Sequence, residues 1–97
     1  MTEPQKIAQR IIVHGFVQGV NFRRWLQGEA LSREVFGWVR NRADGTVEAL
    51  VWGLPREVDD LVRACRHGPD LARVDRIHTE NADYDGLIED FRIEATL

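Results

Sequence analysis

The apolar residues of the chain recur with two different periods, and the period changes from one segment to the next. Five segments are short runs rich in β-branched and apolar residues, or alternate apolar and polar positions, as strands of a sheet do. The predicted strands cover residues 7–13, 35–41, 46–52, 72–80 and 90–95. In the last of them Phe91, Ile93 and Ala95 alternate with polar residues, which is typical of a strand with one buried face.

Two other segments carry apolar residues at helical spacing, so that one face of each helix is apolar. These residues are Phe22, Trp25, Leu26 and Ala30 in the first segment and Val58, Leu61, Val62 and Cys65 in the second. The spacing predicts helices over 22–33 and 55–67, with Cys65 in the core. Pro55 suits the first turn of the second helix, and Gly68 with the following proline suits its end.

The order of these elements is β-α-β-β-α-β, followed by a short strand. Asp44 and Gly45 predict a turn that makes the second and third strands a hairpin, and residues 83–86 predict another turn. This order is the split βαβ, ferredoxin-like pattern. We therefore expect an α+β βαββαβ sandwich: a mostly antiparallel sheet, two helices on one face and a short C-terminal strand. The 97 residues fit a single domain, 1–97, without linker or repeat.

Composition narrows the class of protein further. The net charge of −3 argues against nucleic acid as a partner, because binding a phosphate backbone needs a basic surface. The single cysteine excludes a disulfide within the chain and favours a reducing compartment. The first residues lack the basic and apolar regions of a signal peptide, so we expect none, and no apolar run approaches ~20 residues. We expect a cytoplasmic protein without a membrane segment, and nothing in the sequence requires more than a monomer.

Residues 14–24, HGFVQGVNFRR, place a glycine loop and an arginine between the first strand and the first helix. The N-terminus of a helix has free N–H groups and a partial positive charge, and glycines let successive N–H groups turn toward one point. The planar guanidinium of Arg23 can hold two oxygens of a phosphoryl or carboxylate group. The spacing fits neither a P-loop nor a dinucleotide-binding loop. The residues alone leave two interpretations: an anion site, or a plain connection with an exposed arginine.

Asn41 closes the second predicted strand. Its amide can hold a water molecule, but asparagine is also common in turns, and on its own the turn is the favoured interpretation. His14, His67 and His78 lack the mutual spacing of a metal site, and we expect no chemical role for them.

Two motifs resemble those of the acylphosphatase family. GFVQGVNFR, Gly15 to Arg23, matches the family pattern G-x-V-Q-G-V-x-F-R, and GWVRNRADG, Gly37 to Gly45, matches G-x-V-x-N followed by Asp-Gly. A weaker third motif is GPDLARVDRI, and the similarity covers roughly residues 6–95. The resemblance implies the same βαββαβ sandwich. It also implies hydrolysis of the carboxyl–phosphate bond of a small-molecule acyl phosphate, giving a carboxylate and inorganic phosphate.

The resemblance further implies which residues carry the reaction. Arg23 would be the catalytic arginine, and Asn41 the catalytic asparagine that orients the attacking water. The phosphate loop would comprise Gln18, Gly19, Val20, Asn21 and Phe22. No metal and no cofactor is expected.

A non-catalytic module that binds phosphate or carboxylate through the same loop is the alternative function. Asn41 favours the enzyme, because a binding module needs the loop and the arginine but no amide that orients water. RNA binding is disfavoured, since the chain has no RNP-like aromatic motif and is acidic.

The sequence departs from the family pattern in two places. Residues 32–37, SREVFG, offer no glycine at the end of the first helix. The variable position of the first motif is Asn21, whose side chain we expect at the mouth of the loop.

Overall fold

In the computed structural model, which describes residues 5–84, 86 and 89–97, two helices pack on one face of a five-stranded sheet. The strands are β1 (Ile7–Phe16), β2 (Phe36–Asn41), β3 (Val47–Gly53), β4 (Arg73–Ala82) and β5 (Phe91–Ile93), and the helices are α1 (Phe22–Ser32) and α2 (Pro55–His67). The sheet order is β4-β1-β3-β2-β5, with β5 parallel to β2 and the other pairs antiparallel. This confirms the predicted α+β βαββαβ arrangement. Within the described residues, no helix is long and apolar enough to cross a membrane.

The core lies between the helices and the sheet, and it is built from the two predicted periodicities. Alternate strand residues meet the apolar stripes of both helices in one cluster. Its fully buried members include Ile11, Val13, Leu26, Val39, Val47, Ala49, Val51, Val58, Leu61 and Cys65. Burial raises the pKa of the Cys65 thiol to about 12, so this thiol stays protonated at neutral pH and packs as an apolar group. The predicted core position of Cys65 is confirmed.

One predicted boundary is wrong by three residues: the first strand was expected to cover 7–13 and to end before Gly15, but β1 continues through Gly15 to Phe16. The register of β1 against β4 shifts between His14 and Gly15, where Gly15 has φ +131°. A Cβ at this position would overlap the carbonyl oxygen of Arg73. Gly15 therefore does not end the strand. Its missing side chain lets β4 approach closely, and its positive φ permits a β-bulge at this point.

The other predicted elements agree closely with the structure. The bounds of α2 coincide with the prediction, and α1 is one residue shorter. The remaining strands shift by one or two residues at their ends. The predicted turn at 83–86 includes position 85, which lies outside the described residues.

The end of α1 forms a Schellman motif without glycine. The N–H of Val35 donates to the carbonyl oxygen of Ala30 at 2.9 Å, and the N–H of Glu34 donates to that of Leu31 at 3.1 Å. Glu34 takes the left-handed conformation, φ +55°, that glycine usually takes here. The helix therefore ends in a Schellman motif even without a glycine, at a local cost of about 1 kcal/mol for the left-handed Glu34.

On the face of the sheet away from the helices, which we call the open face, β3 carries the buried carboxylate of Glu48, 2% exposed. The Nε atom of Arg10 donates to it at 2.6 Å and that of Arg40 at 2.7 Å. Burial acts to raise the pKa of Glu48, but the hydrogen bonds from the two guanidinium groups outweigh it, and the pKa lies below its usual value. These bonds tie β3 to both of its neighbours.

We expect Glu48→Gln to lower the free energy of unfolding at pH 7 by about 3 kcal/mol, because it removes the buried counter-charge of two guanidinium groups. The pKa of Glu48 is lower in the folded state than in the unfolded state. The ionised carboxylate therefore stabilises the fold fully at pH values above the unfolded-state pKa, and this stabilisation is lost as the pH falls through the folded-state pKa. Urea unfolding at pH 7 and at stepwise lower pH measures both effects. Glu80→Gln, in an exposed pair with Arg10, is the matched control, and equal losses in both variants would contradict this role of Glu48.

Candidate active site

The loop between β1 and α1, residues 17–21, is anchored by buried side chains and turns its backbone outward. Val17 and Val20 are 1% and 6% exposed. Gly19 and Asn21, on either side of Val20, both have positive φ, +75° and +69°. Alternation of this kind turns successive N–H groups toward one point. Asparagine tolerates the left-handed region better than most residues, so its presence at 21 has a backbone reason.

The start of α1 is a helix N-terminus without a side-chain cap. Asn21 occupies the N-cap position but makes no capping hydrogen bond, and the first turn contains no acidic residue. The N–H of Trp25 is the first to bond within the helix, to the carbonyl oxygen of Asn21 at 3.0 Å. The N–H groups of residues 22–24 therefore have no partner in the helix, and the positive end of the helix dipole faces the loop.

Gln18 ties the loop to the β2–β3 turn. Its Nε2 atom donates to the carbonyl oxygens of Arg42, at 2.8 Å, and of Thr46, at 2.9 Å. Because the side-chain donor is used within the protein, Gln18 can offer a ligand its backbone N–H but not its amide nitrogen. The contact also fixes the loop against the turn that directly follows Asn41.

Asn41 is followed by a turn with its own hydrogen bonds, and its backbone is also held by the C-terminal residue Leu97. The N–H and hydroxyl of Thr46 donate to Oδ1 of Asp44 at 3.0 and 2.6 Å, and these bonds lower the pKa of that carboxyl. The N–H of Leu97 donates to the carbonyl oxygen of Asn41 at 3.1 Å, and the N–H of Ala43 donates to that of Leu97 at 3.1 Å. The main chain of Asn41 is thus fixed without using its side chain.

Arg23 and Asn41 line one pocket of about 210 Å³ between the loop and the end of β2. The Oδ1 atom of Asn41 is buried and has no hydrogen-bond partner among the described residues. The half-buried guanidinium of Arg23 likewise forms no ion pair or hydrogen bond with the part of the chain that the structure describes. Buried polar groups are normally bonded, so this unpartnered oxygen indicates a place for water or a ligand.

Some of the site residues expected from the sequence line the pocket, whereas the side chains of others point elsewhere. Its lining comprises Val17, Gly19, Asn21, Arg23, Arg24, Asn41 and Ile93. The side chains of Val20 and Phe22 are buried in the core, so these residues can contribute to the site only through their backbone. Ile93, 38% exposed, was not expected at the site from the sequence, because nothing local indicated that β5 lies beside β2.

The histidines lie apart from this pocket. His14 Nε2 lies 3.4 Å from a guanidinium nitrogen of Arg76, and His78 lies 3.6 Å from Glu80. The described residues include no group of three or more His, Cys, Asp or Glu side chains placed to hold a metal ion.

For the acyl phosphate hydrolysis that the two motifs lead us to expect, Gln18→Ala should lower kcat/KM about tenfold, because the loop loses its tether to the turn that follows Asn41. Steady-state kinetics together with urea unfolding separate this effect from a loss of stability. Gln27→Ala is the matched control, since its Nε2 atom makes a similar bond, to the carbonyl oxygen of Phe91 at 2.8 Å, away from the loop. A similar kinetic loss in both variants would contradict a local role for Gln18.

Fold and pocket together define a ferredoxin-like α+β protein whose first helix begins, without a side-chain cap, beside an arginine and an asparagine oxygen that have no partner among the described residues. The acylphosphatase family model matches residues 9–93. An acylphosphatase of Bradyrhizobium diazoefficiens is 47% identical over 80% of this chain and 79% of its own length, and one of Alcanivorax borkumensis is 51% identical over 80% and 87%. The crystal structure of acylphosphatase from Bacillus subtilis superimposes with a TM-score of 0.86 at 38% identity, covering 91% of this chain and 98% of that one. The chain therefore belongs to the acylphosphatase family, as its two motifs indicated.

Proposed function

We propose that the chain hydrolyses acyl phosphates in the pocket between the 17–21 loop and the end of β2, with Arg23 and Asn41 as catalytic residues. Membership of the acylphosphatase family assigns the reaction: cleavage of a carboxyl–phosphate bond by water to give a carboxylate and inorganic phosphate. One observation carries the assignment of roles: the guanidinium of Arg23 and the buried Oδ1 atom of Asn41 line one pocket, and neither has a partner in the described part of the chain.

The phosphoryl group binds at the start of α1. Backbone N–H groups of Gln18 to Phe22 face its oxygens, and the guanidinium of Arg23 holds two of them in a bidentate arrangement. Support comes from the uncapped helix N-terminus and from the alternating backbone of the loop, which leave donors and positive potential without a protein partner. Since these donors are in place before the reaction, they stabilise charge on the phosphoryl oxygens without reorganisation.

Asn41 orients the attacking water. Its Oδ1 atom accepts a hydrogen bond from the water, which then attacks phosphorus in line with the leaving carboxylate. The bond from phosphorus to the acyl oxygen breaks as the bond to water forms, and a phosphoryl oxygen takes the proton. An acyl phosphate needs no strong general base, because its leaving group is a weakly basic carboxylate; positioning and charge stabilisation supply the catalysis.

The same donors would suit a module that binds phosphate or carboxylate without turnover. Such a module uses the loop and Arg23 but has no use for the buried oxygen of Asn41. That oxygen, left without a partner among the described residues, favours the hydrolase.

We further infer that the protein acts as a cytoplasmic monomer without metal or cofactor and that it binds no nucleic acid. The free, buried thiol of Cys65 supports a reducing compartment. The net charge of −3 supports a small anionic substrate held at a local site over a polyanion bound across the surface.

Hydrolysis of benzoyl phosphate in the presence of a metal chelator tests this function. We expect turnover by the wild type that the chelator leaves unchanged. Loss of activity with chelator would contradict the metal-free mechanism. A folded wild type that binds inorganic phosphate through Arg23 but releases no benzoate would identify the binding module instead.

A further inference from the structure

A second pocket, of about 370 Å³, opens on the open face of the sheet, at the end where β1 leads into the loop. Its polar lining consists of His14, Arg42, Asp44, Arg76 and His78. None of these residues lines the candidate active site. The pocket therefore presents four basic side chains and one acidic side chain, on a chain whose net charge is −3.

The strand register explains why these side chains meet. His14 pairs with Arg76, and Ile12 pairs with His78, across β1 and β4. Side chains at paired positions share a face of the sheet, so both basic pairs project to the open face beside Ile12. Arg42 reaches the same place from the turn that follows β2.

Two carboxylates lie near the positive charge of this pocket: Asp44 in its lining, and Glu80, whose Oε2 atom is 3.6 Å from His78. Neither one satisfies the two guanidinium groups. Asp44 uses Oδ1 for Thr46, and its Oδ2 lies 3.9 Å from the guanidinium of Arg42. The guanidinium of Arg76 has one described polar contact, the 3.4 Å contact to His14. Both guanidinium groups thus keep donors free, and guanidinium donors match the geometry of phosphate and carboxylate oxygens.

We propose that this pocket is a second anion site, which binds a small phosphate or carboxylate independently of the candidate active site. The two sites are joined through Arg42: its side chain lines the pocket, and its carbonyl oxygen accepts the hydrogen bond from Gln18 that positions the phosphate loop. Both anion classes are groups that the proposed reaction releases, so a product can occupy the site. The inference concerns binding alone and does not require that the chain catalyse hydrolysis.

Amide chemical shifts in ¹H–¹⁵N spectra test this proposal, with inorganic phosphate and acetate titrated separately against chloride at constant ionic strength. In Arg23→Ala, which lacks the active-site clamp, we expect phosphate still to shift amides around residues 12–14, 42–44 and 76–78. Arg76→Gln is expected to weaken this response at least fivefold in apparent Kd. Arg73→Gln, on the same strand but paired with Asp75 at 3.0 Å and outside the pocket, should leave it unchanged.

The possible outcomes distinguish binding of phosphate, binding of carboxylate and a nonspecific effect of ions as causes of the amide shifts. Shifts with phosphate alone assign the site to phosphate groups, and shifts with acetate as well extend it to carboxylates; either supports the proposal. Shifts confined to residues 17–23, or a response to chloride of the same size, would overturn it. So would equal effects of Arg73→Gln and Arg76→Gln, which would indicate charge screening in place of a site. Arg42→Gln serves as a second variant if Arg76→Gln alters the spectrum before any anion is added.

Discussion

Replacing Arg23 by alanine is expected to abolish phosphate binding at the candidate active site and to lower kcat/KM for benzoyl phosphate by at least ~10³-fold, the scale for an arginine that stabilises phosphoryl charge. The guanidinium has no partner in the described protein, so its removal leaves no protein group unpaired, and the fold should survive. Amide shifts of residues 17–24 on titration with inorganic phosphate measure binding at this site, and release of benzoate measures the turnover. Far-UV circular dichroism and urea unfolding verify that the variant is folded.

Two further variants show whether geometry or charge matters at this position. Arg23→Lys should also be poor, because a point charge does not reproduce the bidentate fork. Arg24→Ala is the matched control, since this exposed neighbour lines the same pocket and lies in the same turn of α1. If Arg24→Ala lost as much activity as Arg23→Ala, general positive potential would explain the effect and the assignment of Arg23 would be wrong.

Asn41→Ala is expected to lower kcat by about 10²-fold while leaving the Kd for phosphate nearly unchanged. This is the scale for losing one positioned polar group, about 3 kcal/mol of activation free energy. The backbone of Asn41 is held by pairing with Val47 and by the N–H of Leu97, so truncating the side chain leaves the strand in place. Single-turnover kinetics at saturating substrate separate the chemical step from binding and release.

The matched control is Asn81→Ala, which removes an asparagine side chain from β4, away from the pocket. Near-normal turnover in Asn41→Ala would refute the water-orienting role. Loss of phosphate binding together with turnover would instead assign Asn41 to holding the phosphoryl group.

Both helices were readable from the sequence because their signals are local. The bounds of α2 follow from an apolar stripe that starts after Pro55 and ends before Gly68, and the structure agrees with them. Strand ends are less local, because a strand continues for as long as a neighbour pairs with it. Gly15 was therefore misjudged: pairing with β4 carries β1 past it to Phe16.

Gln18 shows the same limit within the candidate site. Its place in the motif put it in the phosphate loop, but its side-chain amide bonds carbonyl groups 24 and 28 positions away in the chain. No pattern of neighbouring residues encodes such a contact. It exists because the sheet brings the end of β2 beside the start of α1.

The sequence by itself determined the order of the elements and the glycine loop that leads into a helix. It also contained the two family motifs, one of which includes Arg23 and the other Asn41. These depend on residue types and short spacings, which act locally. Only the tertiary structure decided that Arg23 and Asn41 share a pocket with Ile93, and that four basic side chains meet on the open face. Those arrangements depend on strand order and register, which the packing of the whole sheet against two helices selects.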